Sequence, residues 1–140
     1  MEEKPIALMG LHHVASICGD YARSRACYTE TLGLPVIAET YREARDSWKL
    51  DLALPDGARL ELFSFPGAPP RSSRPEAQGL RHLAFAVADV AAAKAALEAR
   101  GVAVEDIRTD ALTDRHFAFF PDPDGLPLEL YEAGADQVSG

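Results

Sequence analysis

Pro121-Asp122-Pro123-Asp124-Gly125-Leu126-Pro127-Leu128-Glu129-Leu130-Tyr131 reads as a tight turn feeding a short strand. Alternation along that strand puts Leu128 and Leu130 on one face and Glu129 on the other. A carboxylate set among leucines in this way is costly to bury unless water, a partner or a metal meets it. The same phrase stands 68 residues earlier as Leu54-Pro55-Asp56-Gly57-Ala58-Arg59-Leu60-Glu61-Leu62. Asp56, Gly57, Leu60, Glu61 and Leu62 map in turn onto Asp124, Gly125, Leu128, Glu129 and Leu130.

The echo runs the length of the chain. His13 maps to His82 and Asp20 to Asp89 at an offset of 69; Gly33 maps to Gly101 and Val36 to Val104 at 68. One indel near a helix accounts for the change, and a duplicated unit follows. In the first copy a strand lies within Ile6 to Cys18, from about Gly10. Asp20 caps a helix of about three turns that ends at Leu32 before Gly33, with Ala22, Ala26 and Leu32 facing inward. A second strand covers Leu34 to Thr40, with room to continue through Glu43. Trp48, Leu50, Leu52 and Leu54 alternate on one face of a third strand, Ser47 to Leu54. Pro55-Asp56-Gly57 turns into a fourth, Arg59 to Phe65. The second copy predicts strands at Leu80–Val87, Val102–Arg108, His116–Phe120 and Leu126–Glu132, with an alanine-rich packing helix from Val90 to Arg100 capped by Asp89.

Pro66 to Pro75 holds four prolines, so it is neither helix nor central strand. It reads as part of a linker, 66–78, between modules of about 8–66 and 79–132 in a single domain, 1–140. Each module is too small to bury a sheet face alone. The fold class predicted is α+β: two tandem βαβββ modules forming a cupped, partly closed mixed sheet, paired within one chain or between chains. The tail after Tyr131 is small and polar and is expected to fray.

The 140 residues suffice for one core, and 47% hydrophobic with 26% charged residues is ordinary for a globular protein. A net charge of −8 argues against a nucleic-acid partner. Cys18 and Cys27 have no zinc-site spacing and fit buried thiols in a reducing compartment; Cys27, within a helix and with no evident base, is not read as a nucleophile. No signal peptide is visible in Met1-Glu2-Glu3-Lys4-Pro5, and no apolar stretch approaches 18 residues. The expectations are a cytoplasmic location and no membrane partner.

The repeat also chooses between His12 and His13. Only His13 aligns with His82; His12 aligns with Arg81, and both of these point away by strand alternation. On the face of His13 follow Ala15 and Ile17, and on that of His82 follow Ala84 and Ala86, small enough to leave space. Val14, Leu83, Phe85 and Val87 on the opposite face pack on the helices. Each module therefore offers one histidine and one glutamate: His13 with Glu61, and His82 with Glu129. A histidine in an apolar strand is more often a hydrogen-bonded core residue, and a strand glutamate more often a solvated one. Matching placement in two copies favours a metal site. Two imidazoles and two carboxylates suit Ni, Zn, Mn, Fe or Co, one divalent metal per site, with positions left for a small-molecule substrate. Arg42, Arg45, Trp48 and Lys49 form a cationic, aromatic stretch that could hold a substrate carboxylate, or pair with Glu39, Glu43, Asp46 and Asp51 on a solvated strand. Arg115 and His116 precede a strand and could reach the cup or equally face solvent.

Leu11-His12-His13-Val14-Ala15, Leu60-Glu61-Leu62, Gly79-Leu80-Arg81-His82-Leu83-Ala84-Phe85 and Asp122-Pro123-Asp124-Gly125 through Glu129 resemble the vicinal oxygen chelate superfamily of glyoxalases, bleomycin-resistance proteins and extradiol dioxygenases. Tyr41 to Lys49, Glu61 to Pro66 and Arg74-Pro75-Glu76-Ala77 look like its small YaeR-like branch. The resemblance implies a glyoxalase-like fold and a homodimer. The set His13, Glu61, His82 and Glu129 is most similar to that of bacterial glyoxalase I (lactoylglutathione lyase). That likeness implies isomerisation of a methylglyoxal–thiol hemithioacetal through a metal-stabilised enediolate, with Glu129 moving the proton and Glu61 as its counterpart. The arginines by which glyoxalase I holds glutathione have no residue-by-residue match here. An extradiol dioxygenase would leave Glu61 without a ligand role. A non-catalytic small-molecule binding or resistance protein would tolerate loss of Glu129.

Overall fold

The computed structural model describes residues 4–134. The tail expected to fray lies, from residue 135 onward, outside the described residues. The first module comprises β1 (His13–Cys18), α1 (Tyr21–Ala26), β2 (Val36–Arg42), β3 (Ser47–Ala53) and β4 (Arg59–Ser64). The second comprises β5 (Leu83–Val87), α2 (Val90–Ala99), β6 (Arg108–Thr109), β7 (His116–Pro121) and β8 (Pro127–Glu132). Each module forms one four-stranded mixed sheet, in the orders β1-β4-β3-β2 and β5-β8-β7-β6. The chain is thus α+β, with two separate, unclosed sheets among the described residues rather than one continuous sheet.

Local chemistry sets the element ends. The Asp20 carboxylate accepts from the Arg23 N–H at 3.1 Å and that of Asp89 from the Ala92 N–H at 3.0 Å, so both helices start at a carboxylate cap. Beyond Ala26 the first helix widens into a π-helical turn, Cys27–Thr31, closed by the Leu32 N–H on the Cys27 carbonyl. In the two hairpin turns Gly57 and Gly125 sit at φ 95° and 82°, a region glycine enters at no steric cost.

Several boundaries differ from those the pattern suggested. β1 starts at His13, not Gly10, and β5 at Leu83, not Leu80. Only Arg108–Thr109 pairs in the segment after α2, so Val102 to Ile107 is not strand. Ala22, expected inward, is exposed; Ser24 and Tyr28 hold the buried positions of that helix. Their hydroxyls donate to Asp124 and Asp122 of the second module at 3.3 and 2.8 Å, which removes the cost of burying them. Asp124 also accepts from the Gly19 N–H at 2.9 Å, and Asp122 from the Asp124 and Leu126 N–H groups. The β7–β8 turn is thereby fastened to the first helix.

The core lies on one face of each sheet. Leu50, Leu52, Leu60 and Leu62 pack there in the first module, and Ala118, Phe120, Leu128 and Leu130 in the second, joined by Tyr28, Val90 and Leu97 from the helices. The other face is open, and His13, Ala15, Ile17, Ala84 and Ala86 are exposed on it. No helix among the described residues is long and apolar enough to cross a membrane.

Candidate functional site

Strand pairing carries each glutamate beside its histidine. β1 runs parallel to β4, with Ala15 level with Glu61; β5 runs parallel to β8, with Ala84 level with Glu129. In both modules the histidine stands two residues before that level, at the strand entrance, and reaches the carboxylate along the open face. His13 Nδ1 lies 3.7 Å from Glu61 Oε2, and His82 Nε2 lies 3.2 Å from Glu129 Oε1. Glu61 and Glu129 are nonetheless buried, at 8% and 7% exposure. A buried carboxylate needs a partner, and the modules supply different ones.

Around Glu61 the partners are charged. Asp51 stands opposite it across β3 and β4, and Lys49 Nζ lies 3.5 Å from Asp51 and 3.9 Å from Glu61. Around Glu129 the walls are aromatic. Phe119 stands opposite it, with the His82 ring edge-on at 5.1 Å, and the Arg108 guanidinium lies over both Phe117 and Phe119. Burial raises the Glu129 carboxyl above the usual carboxylate range, while His82 and Arg108 pull it back in part. A cavity of about 480 Å³ opens here, lined by His82, Arg108, Phe119, Arg74 and Arg81 among others. A second, mostly apolar cavity of about 530 Å³ lies between α2 and the β3–β4 turn, where Ala93 and Ala96 stand at the repeat positions of Ser24 and Cys27. It lacks both His–Glu pairs.

The other candidates are scattered. Arg42 and Arg45 lie on the open side, over Phe63 at 5.4 Å and Phe65 at 4.8 Å. Trp48 faces the other way: it stacks on Tyr21 at 5.4 Å, on the helix side of β3, apart from Glu61. Arg115 donates to the Glu132 carbonyl at 3.5 Å, and the His116 N–H to the Glu132 carboxylate at 2.9 Å. Arg81 pairs with Glu76 at 3.9 Å, away from Glu129. His12 does not point away as alternation suggested. Its Nδ1 is 2.9 Å from that of His13, because the strand begins only at His13 and alternation does not govern the residue before it. Lys49, by sequence a solvated-strand or substrate residue, and Asp51, by sequence only its surface partner, lie beside Glu61; nothing in the local pattern marks Arg108 and Phe119 as neighbours of Glu129. Comparing every position with its repeat partner would have exposed the charged pair against two phenylalanines.

Imidazole nitrogen and carboxylate oxygen are the donor types of a borderline divalent ion, so each pair fits as half of a coordination set. Half is all that one chain assembles: no three His, Cys, Asp or Glu side chains among the described residues lie where they could hold a metal ion.

Residues 10–130 match the Glyoxalase/Bleomycin resistance protein/Dioxygenase superfamily, and the chain belongs to it. It is 58% identical over 127 residues to the Uncharacterized protein YaeR of Escherichia coli (strain K12), covering 91% of this chain and 98% of that one. It is 56% identical over 125 residues to the Uncharacterized protein YwkD of Bacillus subtilis (strain 168), covering 89% and 98%. Among solved structures, a glyoxalase family protein from Enterococcus faecalis superposes with a TM-score of 0.84 at 42% identity, over 91% of this chain and all of the other. A lactoylglutathione lyase from Agrobacterium tumefaciens shares the fold at a TM-score of 0.69 and 20% identity, covering 91% and 96%. Members of this superfamily commonly use a divalent metal and often form dimers.

Proposed function

We propose that the protein is a metal-dependent glyoxalase I-like lyase or isomerase acting on a small substrate with two adjacent oxygens, such as a methylglyoxal–thiol hemithioacetal. The observation that carries this reading is the pair of His–Glu contacts, at 3.7 and 3.2 Å, on matching points of the two open faces. Since no three donors come together among the described residues of one chain, the His13–Glu61 half of one protomer meets the His82–Glu129 half of a second copy. The protein is then a homodimer with two equivalent sites, each holding one Ni, Zn, Mn, Fe or Co ion.

When bound, the ion supplies a Lewis acid that acidifies the substrate C–H next to its coordinated oxygens. The chain's own residues do the rest. Glu129 takes the proton from one carbon and returns it to its neighbour. Glu61 is the counterpart across the site. His13 and His82 hold position as neutral donors. Arg42, Arg45 and Arg115 are arginines that would meet a charged thiol.

The test is metal analysis of the purified protein, followed by thioester formation from the methylglyoxal–glutathione hemithioacetal after loading with Ni²⁺, Zn²⁺ or Mn²⁺. Near-stoichiometric metal with turnover is the expected result. Metal without turnover moves the search to other thiols. No metal under any loading removes the reading and leaves a small-molecule binding protein.

A further inference from the structure

The repeat that superimposes Glu61 on Glu129 breaks at two positions beside them. Asp51 stands opposite Glu61 where Phe119 stands opposite Glu129, and Lys49 stands opposite Phe63 where Phe117 stands opposite Tyr131. One half-site therefore carries an ammonium and a carboxylate where the other carries two rings. The Lys49 ammonium is not used up by its neighbours. Its contacts of 3.5 Å to Asp51 and 3.9 Å to Glu61 exceed the roughly 2.8 Å of a direct charge-assisted hydrogen bond. An ammonium has three N–H donors, and the Lys49 side chain is 33% exposed. The Phe63 ring holds two cations at this place, Arg42 at 5.4 Å and Lys49 at 6.0 Å. In a chain of net charge −8, two cations gathered on one ring offset the Asp51 and Glu61 carboxylates beside them and give an anion donors to meet.

We propose that Lys49 is the specificity-determining residue of the chelating site and binds a carboxylate arm of the substrate, with Asp51 as the positioning residue that holds the ammonium over the open face. The inference rests on reading the two His–Glu pairs as metal ligands. It assigns the substrate an asymmetric form. Two adjacent oxygens lie at the glutamates, and an anionic arm reaches Lys49 and Arg42 on the Phe63 side. A divalent ion taken up by Glu61 removes that carboxylate as a partner of Lys49. Asp51 is left to steady the ammonium, and N–H capacity is freed for the arm.

Two hydroxamates test this by calorimetry on the Ni²⁺-loaded protein. Succinic monohydroxamic acid and butyrohydroxamic acid present the same pair of adjacent oxygens and differ in a carboxylate for a methyl at the far end. The wild type should prefer the succinyl compound about tenfold. Lys49→Met should bring the ratio to about one, Lys49→Arg should keep most of it, and Asp51→Asn should reduce it. The ratio of two ligands on one protein does not change with the fraction folded, so a structural role for Lys49 alone would leave it unmoved. Equal binding of both compounds to the wild type, or an unchanged ratio in Lys49→Met, overturns the inference and leaves the metal site standing. Binding of neither to nickel-loaded protein removes the chelate reading, and the inference with it.

Discussion

Tyr28→Phe removes a single oxygen and tests how the two modules are joined. The Tyr28 side chain is fully buried, and its hydroxyl donates to Asp122 Oδ2 at 2.8 Å. Asp122 is itself buried, and its other oxygen, Oδ1, is engaged by the Asp124 and Leu126 N–H groups at 2.8 and 2.9 Å. The substitution leaves a buried carboxylate oxygen short of a donor, which costs about 1.5–3 kcal/mol for a charged acceptor. Taking about 2 kcal/mol and a urea slope of about 2 kcal/mol/M, the unfolding midpoint should fall by about 1 M. Tyr41→Phe is the control. Its hydroxyl also meets an aspartate, Asp46, but Tyr41 is 46% exposed, and water replaces the lost bond. The assay is urea unfolding followed by circular dichroism at one protein concentration, since dimerisation makes the midpoint concentration-dependent. Equal, small shifts for both variants would refute the claim that the Tyr28–Asp122 bond fastens the modules.

Other expectations follow from the same geometry. Burial first, and Asp122 second, push the Cys27 thiol up to about 11, so at pH 8 only about one thiolate in a thousand is present. Iodoacetamide should label Cys27 more than a hundredfold more slowly than a free thiol at pH 8, and the rate should climb as pH rises toward 11; fast labelling at pH 8 would contradict it. Glu129→Gln should keep the fold and the dimer but lower hemithioacetal turnover by at least about a hundredfold, as loss of a proton carrier does; full activity would remove the proposed proton path. His13→Ala and His82→Ala should each lower metal content measured by atomic absorption, whereas His12→Ala, despite its 2.9 Å contact with His13, should retain it.

Much of this architecture is legible because a duplication prints its own register. The +68 echo of Asp56-Gly57 and Leu60-Glu61-Leu62 places both hairpins, and the structure pairs Ala15 with Glu61 and Ala84 with Glu129 at corresponding levels. What stays hidden depends on contacts distant in sequence. Ser24 and Tyr28 look like poor candidates for an inward helix face until Asp122 and Asp124, about a hundred residues away, satisfy their hydroxyls. Lys49 and Asp51 read as a solvated pair because charges usually are; only strand pairing shows that Glu61 is their neighbour. Trp48 shares a segment with Arg42 and Arg45, but a strand sends alternate side chains to opposite faces, and it stacks on Tyr21 instead. Both His–Glu pairs follow from the repeat. That they stay apart within one chain does not, because it depends on how two separate sheets are set.

The claim most open to direct contradiction is that a metal site is built from two copies of the chain. A protein carrying His13→Ala with Glu61→Gln keeps only the His82–Glu129 half, and one carrying His82→Ala with Glu129→Gln keeps only the His13–Glu61 half. Each alone should bind no Ni²⁺ in a calorimetric titration. Unfolded together and refolded, they should form a heterodimer with one intact site and recover up to one Ni²⁺ per heterodimer. A mixture that forms the heterodimer yet stays metal-free would contradict assembly across the dimer, and full binding by either variant alone would contradict the ligand set itself.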